Sequence, residues 1–200
     1  HIYKTAYDPR ISPERGRDTL APIVSAIGMN LQDTIGPAIN KINIVVEGMS
    51  DCIYLNIMAD VLNIDKTRYV FIPSNGASNC INICAVLHGW GCKYLAIFDY
   101  DKAGVESGGE VLRKDFLFEF QQQYCYLKDV SQDEINKKSY KTNKCVIEDV
   151  VTEQEIDRYC EATGTPRDIS KTFLAKKMST SIENGEYEPS EQCKKNFTEL

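Results

Sequence analysis

Residues 42–51 read Ile42-Asn43-Ile44-Val45-Val46-Glu47-Gly48-Met49-Ser50-Asp51. The run 42–46 is β-branched and almost wholly apolar, which suits a strand covered on both faces, as in a parallel sheet. It stops abruptly at an acid, a glycine and, four residues on, a second acid. Residues 52–62 (CIYLNIMADVL) then place Leu55, Met58, Val61 and Leu62 on one helical face. The reading is strand, tight turn, helix.

The same pattern recurs downstream. Residues 69–73 (YVFIP) predict a second strand, Ser74 to Asn79 a turn, and 80–89 a helix ended by Gly89. Residues 93–98 (KYLAIF) predict a third strand, followed by Asp99-Tyr100-Asp101-Lys102-Ala103-Gly104. Residues 106–122 are helical in composition, and 124–127 (YCYL) suit a short strand. Helical patterns return at 152–162 and 169–182. Strands and helices alternating over short links predict an α/β fold. Its parallel sheet has right-handed crossovers and helices on both faces, with a C-terminal helical segment added. The expected organisation is a linker with short helices over 1–40, one α/β domain over 41–185, and a polar, poorly ordered tail over 186–200.

The chain has 200 residues, 42% of them hydrophobic, enough for a real core. Its net charge of −6 argues against a stand-alone basic nucleic-acid binder. Bound divalent metal can nevertheless reverse the sign of an acidic site. The charge is uneven: residues 47–110 carry four bases and eight acids, and four of those acids are Glu47, Asp51, Asp99 and Asp101. Lys137, Lys138, Lys141 and Lys144 read as a solvated loop, with contact to a DNA backbone as the other reading. The eight cysteines are irregularly spaced, with no Cys-x-x-Cys, and the only histidines are His1 and His88. Buried reduced thiols in a cytoplasmic protein are therefore expected, not a zinc site. No apolar run reaches the length of a membrane span, so no membrane partner is expected.

Ligands of open α/β sheets bind beyond the carboxyl ends of the strands. Two strands here end in acids: the first at Glu47, with Asp51 following, and the third at Asp99 and Asp101. In extended chain, residues i and i+2 face the same side, so Asp99 and Asp101 converge. Clustered carboxylates repel one another unless a cation sits among them. Hard oxygen donors without histidine favour Mg²⁺ or Mn²⁺, with Ca²⁺ as a structural substitute. One or two such ions serve phosphoryl transfer. Asp51 has a competing role as a helix N-cap, shared with Ser50. An EF-hand loop from Asp99 to Glu110 fails, because Ala103 has no ligand oxygen at the fifth position. The turn Ser74-Asn75-Gly76-Ala77-Ser78-Asn79 enters a helix, so Ser74, Gly76 and Ser78 are candidate phosphate contacts, with plain turn chemistry as the alternative.

Glu47-Gly48-x-x-Asp51 after one strand and Asp99-x-Asp101-x-x-Gly104 after a later one resemble the Toprim domain of topoisomerases, primases and OLD-family nucleases. The wider sequence is most similar to the OLD (overcoming lysogenization defect) family. Arg17-Asp18-Thr19-Leu20-Ala21-Pro22, the Ser74–Asn79 turn and Ile147-Glu148-Asp149-Val150-Val151 extend the likeness over roughly residues 17–178. The resemblance implies a divalent-metal DNA endonuclease or nickase, with Glu47, Asp51, Asp99, Asp101 and Glu148 as metal ligands. It implies Glu47, Asp99, Asp101 and Lys171 as the catalytic set, Lys171 stabilising charge on the scissile phosphate, with Lys176 and Lys177 as alternatives. It also implies an ATPase domain on the N-terminal side, homo-oligomer formation through it, and a role in phage defence. No GxxxxGK[ST] occurs in the chain, so the ATPase would be a separate domain joined through residues 1–40. Three other readings remain open here. They are a primase- or topoisomerase-like nucleotidyl-transfer module, a phospho-accepting receiver on Asp99, and a catalytically silent Toprim-like module that only assembles with a partner.

Overall fold

The computed structural model describes residues 38, 40–109 and 124–200. The short helices expected within 17–39, the join over 1–40 and residues 110–122 of the expected 106–122 helix lie outside the described residues, apart from 38 and 40.

Four strands form one parallel sheet in the order β2-β1-β3-β4. They are β1 (Ile42–Val46), β2 (Tyr69–Pro73), β3 (Tyr94–Phe98) and β4 (Tyr124–Tyr126). The helix α1 (Met49–Val61) connects β1 to β2, and α2 (Ala77–Gly89) connects β2 to β3. Both begin three residues earlier than their apolar patterns do, because Met49-Ser50-Asp51 and Ala77-Ser78-Asn79 fill the first turns with largely small or polar residues. After β2 the chain passes back over β1 to lay β3 on its other side. The ends of β1 and β3 therefore flank a topological switch point, where such sheets open a crevice.

Both faces of the sheet are covered, which explains why its strands are apolar throughout. Side chains alternate along each strand. Val45, Ile72, Ala96 and Phe98 pack with Cys80, Ile83, Cys84 and Leu87 of α2. Val46, Phe71, Ile44 and Ile97 face the other way, toward Leu55 and Met58 of α1. Asn43, the polar exception in β1, is fully buried. Its side chain accepts from the Ala38 N–H at 2.8 Å and donates to the carbonyls of Ala38 and Lys93 at 3.0 and 2.9 Å. All eight cysteines are free, and six of them are buried.

After β4 come α3 (Gln132–Asn136), α4 (Ile147–Val151), α5 (Glu153–Thr163), α6 (Lys171–Glu183) and α7 (Glu191–Thr198). Helices α4, α6 and α7 pack against α1. The expectation of a polar tail over 186–200 is corrected by α7, whose Cys193 and Phe197 are buried in the same core as α1. The segment reads as polar because its two core contacts lie four residues apart, one helical turn, amid charged residues. Ser190 caps the helix by accepting from the Cys193 N–H at 3.2 Å. Helix α2 ends at Gly89 as its sequence predicts, with Trp90 as its C-cap, and the left-handed residue that follows is Gly91, with φ 67°.

Candidate functional site

Glu47 leaves the end of β1 directly, and its carboxylate reaches across to β3. The Asp99 N–H donates to Glu47 Oε1 at 3.0 Å. The first acid of the site is thus fixed by the backbone that carries the next. Burial pushes the Glu47 carboxyl up to about 7, against the pull of that hydrogen bond, and the charges of Asp101 and Asp51 add to the rise. Asp99 is pushed up to about 8, by burial first and then by the charges of Asp51, Glu47, Asp101 and Glu148. Its Oδ1 is buried without a hydrogen-bond partner among the described residues.

Asp51 sits in the first turn of α1, where its carboxylate accepts from the Gly48 N–H at 2.7 Å and the Ser50 hydroxyl at 3.4 Å. The helix N-cap is Gly48, so Asp51 satisfies the helix start from inside the first turn. It is buried, and burial raises its pKa, with Glu148 contributing repulsion. Asp101 spends Oδ1 on the Gly104 N–H at 2.9 Å, which opens a π-helical turn over Ala103–Gly109. Such turns recur at functional sites. Glu148 rides on α4 with a side chain 19% exposed, and Lys171 Nζ from the start of α6 lies 3.1 Å from its Oε2. Of the three candidate lysines, Lys171 is the one paired with a site acid. Lys177 instead lies over the Phe173 ring at 5.5 Å.

The loop after β2 acts on Glu47 from behind. The Gly76 N–H donates to the Glu47 carbonyl at 2.7 Å, and the Ser74 hydroxyl lies 3.3 Å from the same oxygen. The Ser74 N–H donates to the Val46 carbonyl at 2.9 Å. Gly76 has φ 118°, a conformation open to glycine. The donors of Ser74 and Gly76 thus serve the chain itself, while Ser78 is exposed in the first turn of α2.

Two structural supports escaped the sequence reading. Tyr100, between the two aspartates, is fully buried and joins Cys145 in an isolated antiparallel bridge. Strand alternation was the available signal: if Asp99 and Asp101 face the site, Tyr100 faces away. Asp149, next to Glu148, accepts from the Val146 N–H at 2.9 Å and fixes the start of α4. That role could have been read from its place three residues inside a helix start.

Among the described residues, no three His, Cys, Asp or Glu side chains are arranged as a group that could hold an ion. The donor set still fits a hard divalent cation. It offers oxygen only, it includes a buried carboxylate oxygen without a partner among the described residues, and its charges repel one another. Mg²⁺ needs only one or two carboxylates, keeping water on its other positions.

A four-stranded parallel sheet, helices on both faces and acids at the switch point of β1 and β3 define an α/β fold of the Toprim type. Residues 41–101 match the family described as overcoming lysogenization defect protein-like, TOPRIM domain, and this segment is a Toprim domain of that family. The match supports a module of the nucleotidyl-transfer and nuclease type acting on nucleic acid, from a class that generally binds divalent metals. No curated protein and no solved structure matches the chain. No helix among the described residues is long and apolar enough to cross a membrane.

Proposed function

We propose that this chain hydrolyses phosphodiester bonds of DNA with the help of one or two divalent cations, Mg²⁺ or Mn²⁺. The observation that carries this reading is the Glu47–Asp99 contact at the switch point, with Asp99 Oδ1 buried and lacking a hydrogen-bond partner among the described residues. Glu47, Asp51, Asp99, Asp101 and Glu148 are the residues that would hold metal. A bound divalent ion would supply charge neutralisation at the phosphate and an activated water.

The chain's own residues do the remaining work. The Asp99 N–H holds the Glu47 carboxylate at the end of β1, which suits it to accept a proton from the attacking water. The grip of Gly76 and Ser74 on the Glu47 carbonyl fixes where that carboxylate stands. Lys171, with a side chain 73% exposed, is free to turn from Glu148 to a phosphate oxygen and stabilise its charge. Ser78, exposed in the first turn of α2, is the member of its turn left to meet a phosphate. An ATPase domain preceding residue 41, with homo-oligomerisation through it, completes the proposal.

Incubation with supercoiled plasmid and Mg²⁺ or Mn²⁺ should yield nicked or linear product. Asp99→Asn should reduce that cleavage by about 10²-fold or more. Undiminished cleavage by Asp99→Asn would overturn the site. Absence of Mn²⁺ binding by calorimetry would favour a silent assembly module.

A further inference from the structure

The segment Lys137-Lys138-Ser139-Tyr140-Lys141-Thr142-Asn143-Lys144 holds four lysines and no acid, in a chain whose net charge is −6. Its position is fixed by the residue between the two site aspartates. The Tyr100 N–H donates to the Cys145 carbonyl at 2.7 Å, and the Cys145 N–H to the Tyr100 carbonyl at 3.1 Å. The Tyr100 hydroxyl lies 2.6 Å from Ser139 Oγ, and its ring meets Tyr140 edge-on at 6.2 Å. Tyr140 is buried and donates to Glu106 Oε1 at 2.5 Å, which ties the loop to the π-helical turn after Asp101.

A loop needing only solvation would not require two buried tyrosines and a backbone bridge to hold it. The anchors are apolar and buried, whereas Lys138, Lys141 and Lys144 are exposed, as is Lys102 next to Asp101. Lys102, Lys138 and Lys141 all act on Glu106 electrostatically, so all three lie near that turn. Among the described residues, the ion pairs of these four lysines come down to a loose one, Lys138 to Glu106 at 4.0 Å. A row of unspent cations beside an acidic centre is complementary to a polyanion whose one phosphate enters that centre and whose neighbours lie outside it.

We propose that Lys138, Lys141 and Lys144, with Lys102, form a track for the DNA backbone that positions the duplex over the acidic site. This rests on the nuclease reading of that site and adds where the substrate lies. The track contributes affinity independent of sequence and sensitive to salt, because each phosphate it neutralises releases counterions.

The test is fluorescence anisotropy of a short labelled DNA duplex in Ca²⁺ buffer, with KCl titrated over roughly 50–200 mM. The proteins are the full chain and its Lys138→Gln, Lys141→Gln, Lys144→Gln triple variant. The variant should bind about tenfold more weakly or worse, with a salt slope shallower by about 3. Mn²⁺ binding by calorimetry should be unchanged, which shows that the fold and the acidic site are intact. The matching triple Arg variant should restore both affinity and slope. Unchanged affinity and slope in the Gln variant, with plasmid still cleaved, would overturn the track and leave the nuclease reading standing. A wild-type chain that neither binds the duplex nor cleaves plasmid would overturn both.

Discussion

A methyl group on residue 104 would collide with the Asp99 carbonyl oxygen and stand 2.8 Å from Glu47 Oε1. Gly104 is thus the floor under the Glu47–Asp99 contact. Gly104→Ala should cost about 2 kcal/mol of stability by overpacking and displace both carboxylates. Thermal melting and Mn²⁺ calorimetry on the same variant check the two effects, and tight Mn²⁺ binding by Gly104→Ala would refute its role. Lys171 makes a second prediction at this scale. Its pairing with Glu148 opposes the cation that the same acid would hold. Lys171→Gln should therefore lower cleavage by about 10²-fold without weakening Mn²⁺ binding. A parallel loss of Mn²⁺ affinity would show that Lys171 merely supports the fold. The DxDxxG spacing made Gly104 and both aspartates legible in sequence. The Lys171–Glu148 contact was not legible without the family resemblance, because the two stand on separate helices that meet only through the packing of α4 and α6 on α1.

At the scale of elements, the site stands on α1, and α1 is held from behind by the C-terminal helices. Glu155 on α5 is buried and accepts from Arg158 at 2.9 Å, from the Tyr187 hydroxyl at 2.8 Å and from the Ser190 N–H at 3.0 Å. Burial opposes its ionisation, but these donors outweigh it and lower its pKa. The network ties the start of α7 to α5, while Asn196 donates to the Val150 carbonyl of α4 at 2.9 Å. Phe197→Ala should cost about 3 kcal/mol in denaturant unfolding. An unaffected midpoint would mean that α7 is dispensable. The strands and the longer helices were legible from apolar period alone. Helix α7 was not, because a short amphipathic helix with two buried residues has the composition of a tail.

For the whole molecule, the acid cluster and the core carry opposite pH dependences. Glu47 and Asp99 have folded pKa values above those of an unfolded chain, so the native state binds more protons across that interval. Their protonated forms are the stable ones when metal is absent, and this contribution is full below about pH 4 and lost as pH rises through about 7 to 8. Glu155 has a lowered pKa, so its contribution is present above the ordinary glutamate range and lost as pH falls. The metal-free protein should therefore melt at a lower temperature at pH 8 than at pH 5. Added Mg²⁺ or Mn²⁺ should raise the melting temperature, and more so at pH 8, where the carboxylates are ionised and ready to bind. A metal-free melting temperature that rises from pH 5 to pH 8 would contradict the buried acid cluster. So would a metal-induced shift independent of pH.

The sequence by itself determined the class of fold and singled out the candidate acids at the strand ends. Apolar period is local, and an acid directly after a buried strand has little other reason to stand there. Only the tertiary structure decided which of those acids touch, which donors hold them and what the intervening residues do. Glu47 and Asp99 are 52 positions apart, and their contact exists because the chain crosses back over β1 to place β3 at its side. Tyr100, between Asp99 and Asp101, joins the lysine loop to the segment that carries them, by its backbone bridge to Cys145 and its hydroxyl contact with Ser139. Such pairings depend on strand order and register, which no single stretch of sequence encodes, because they arise from the burial of all the elements against one another.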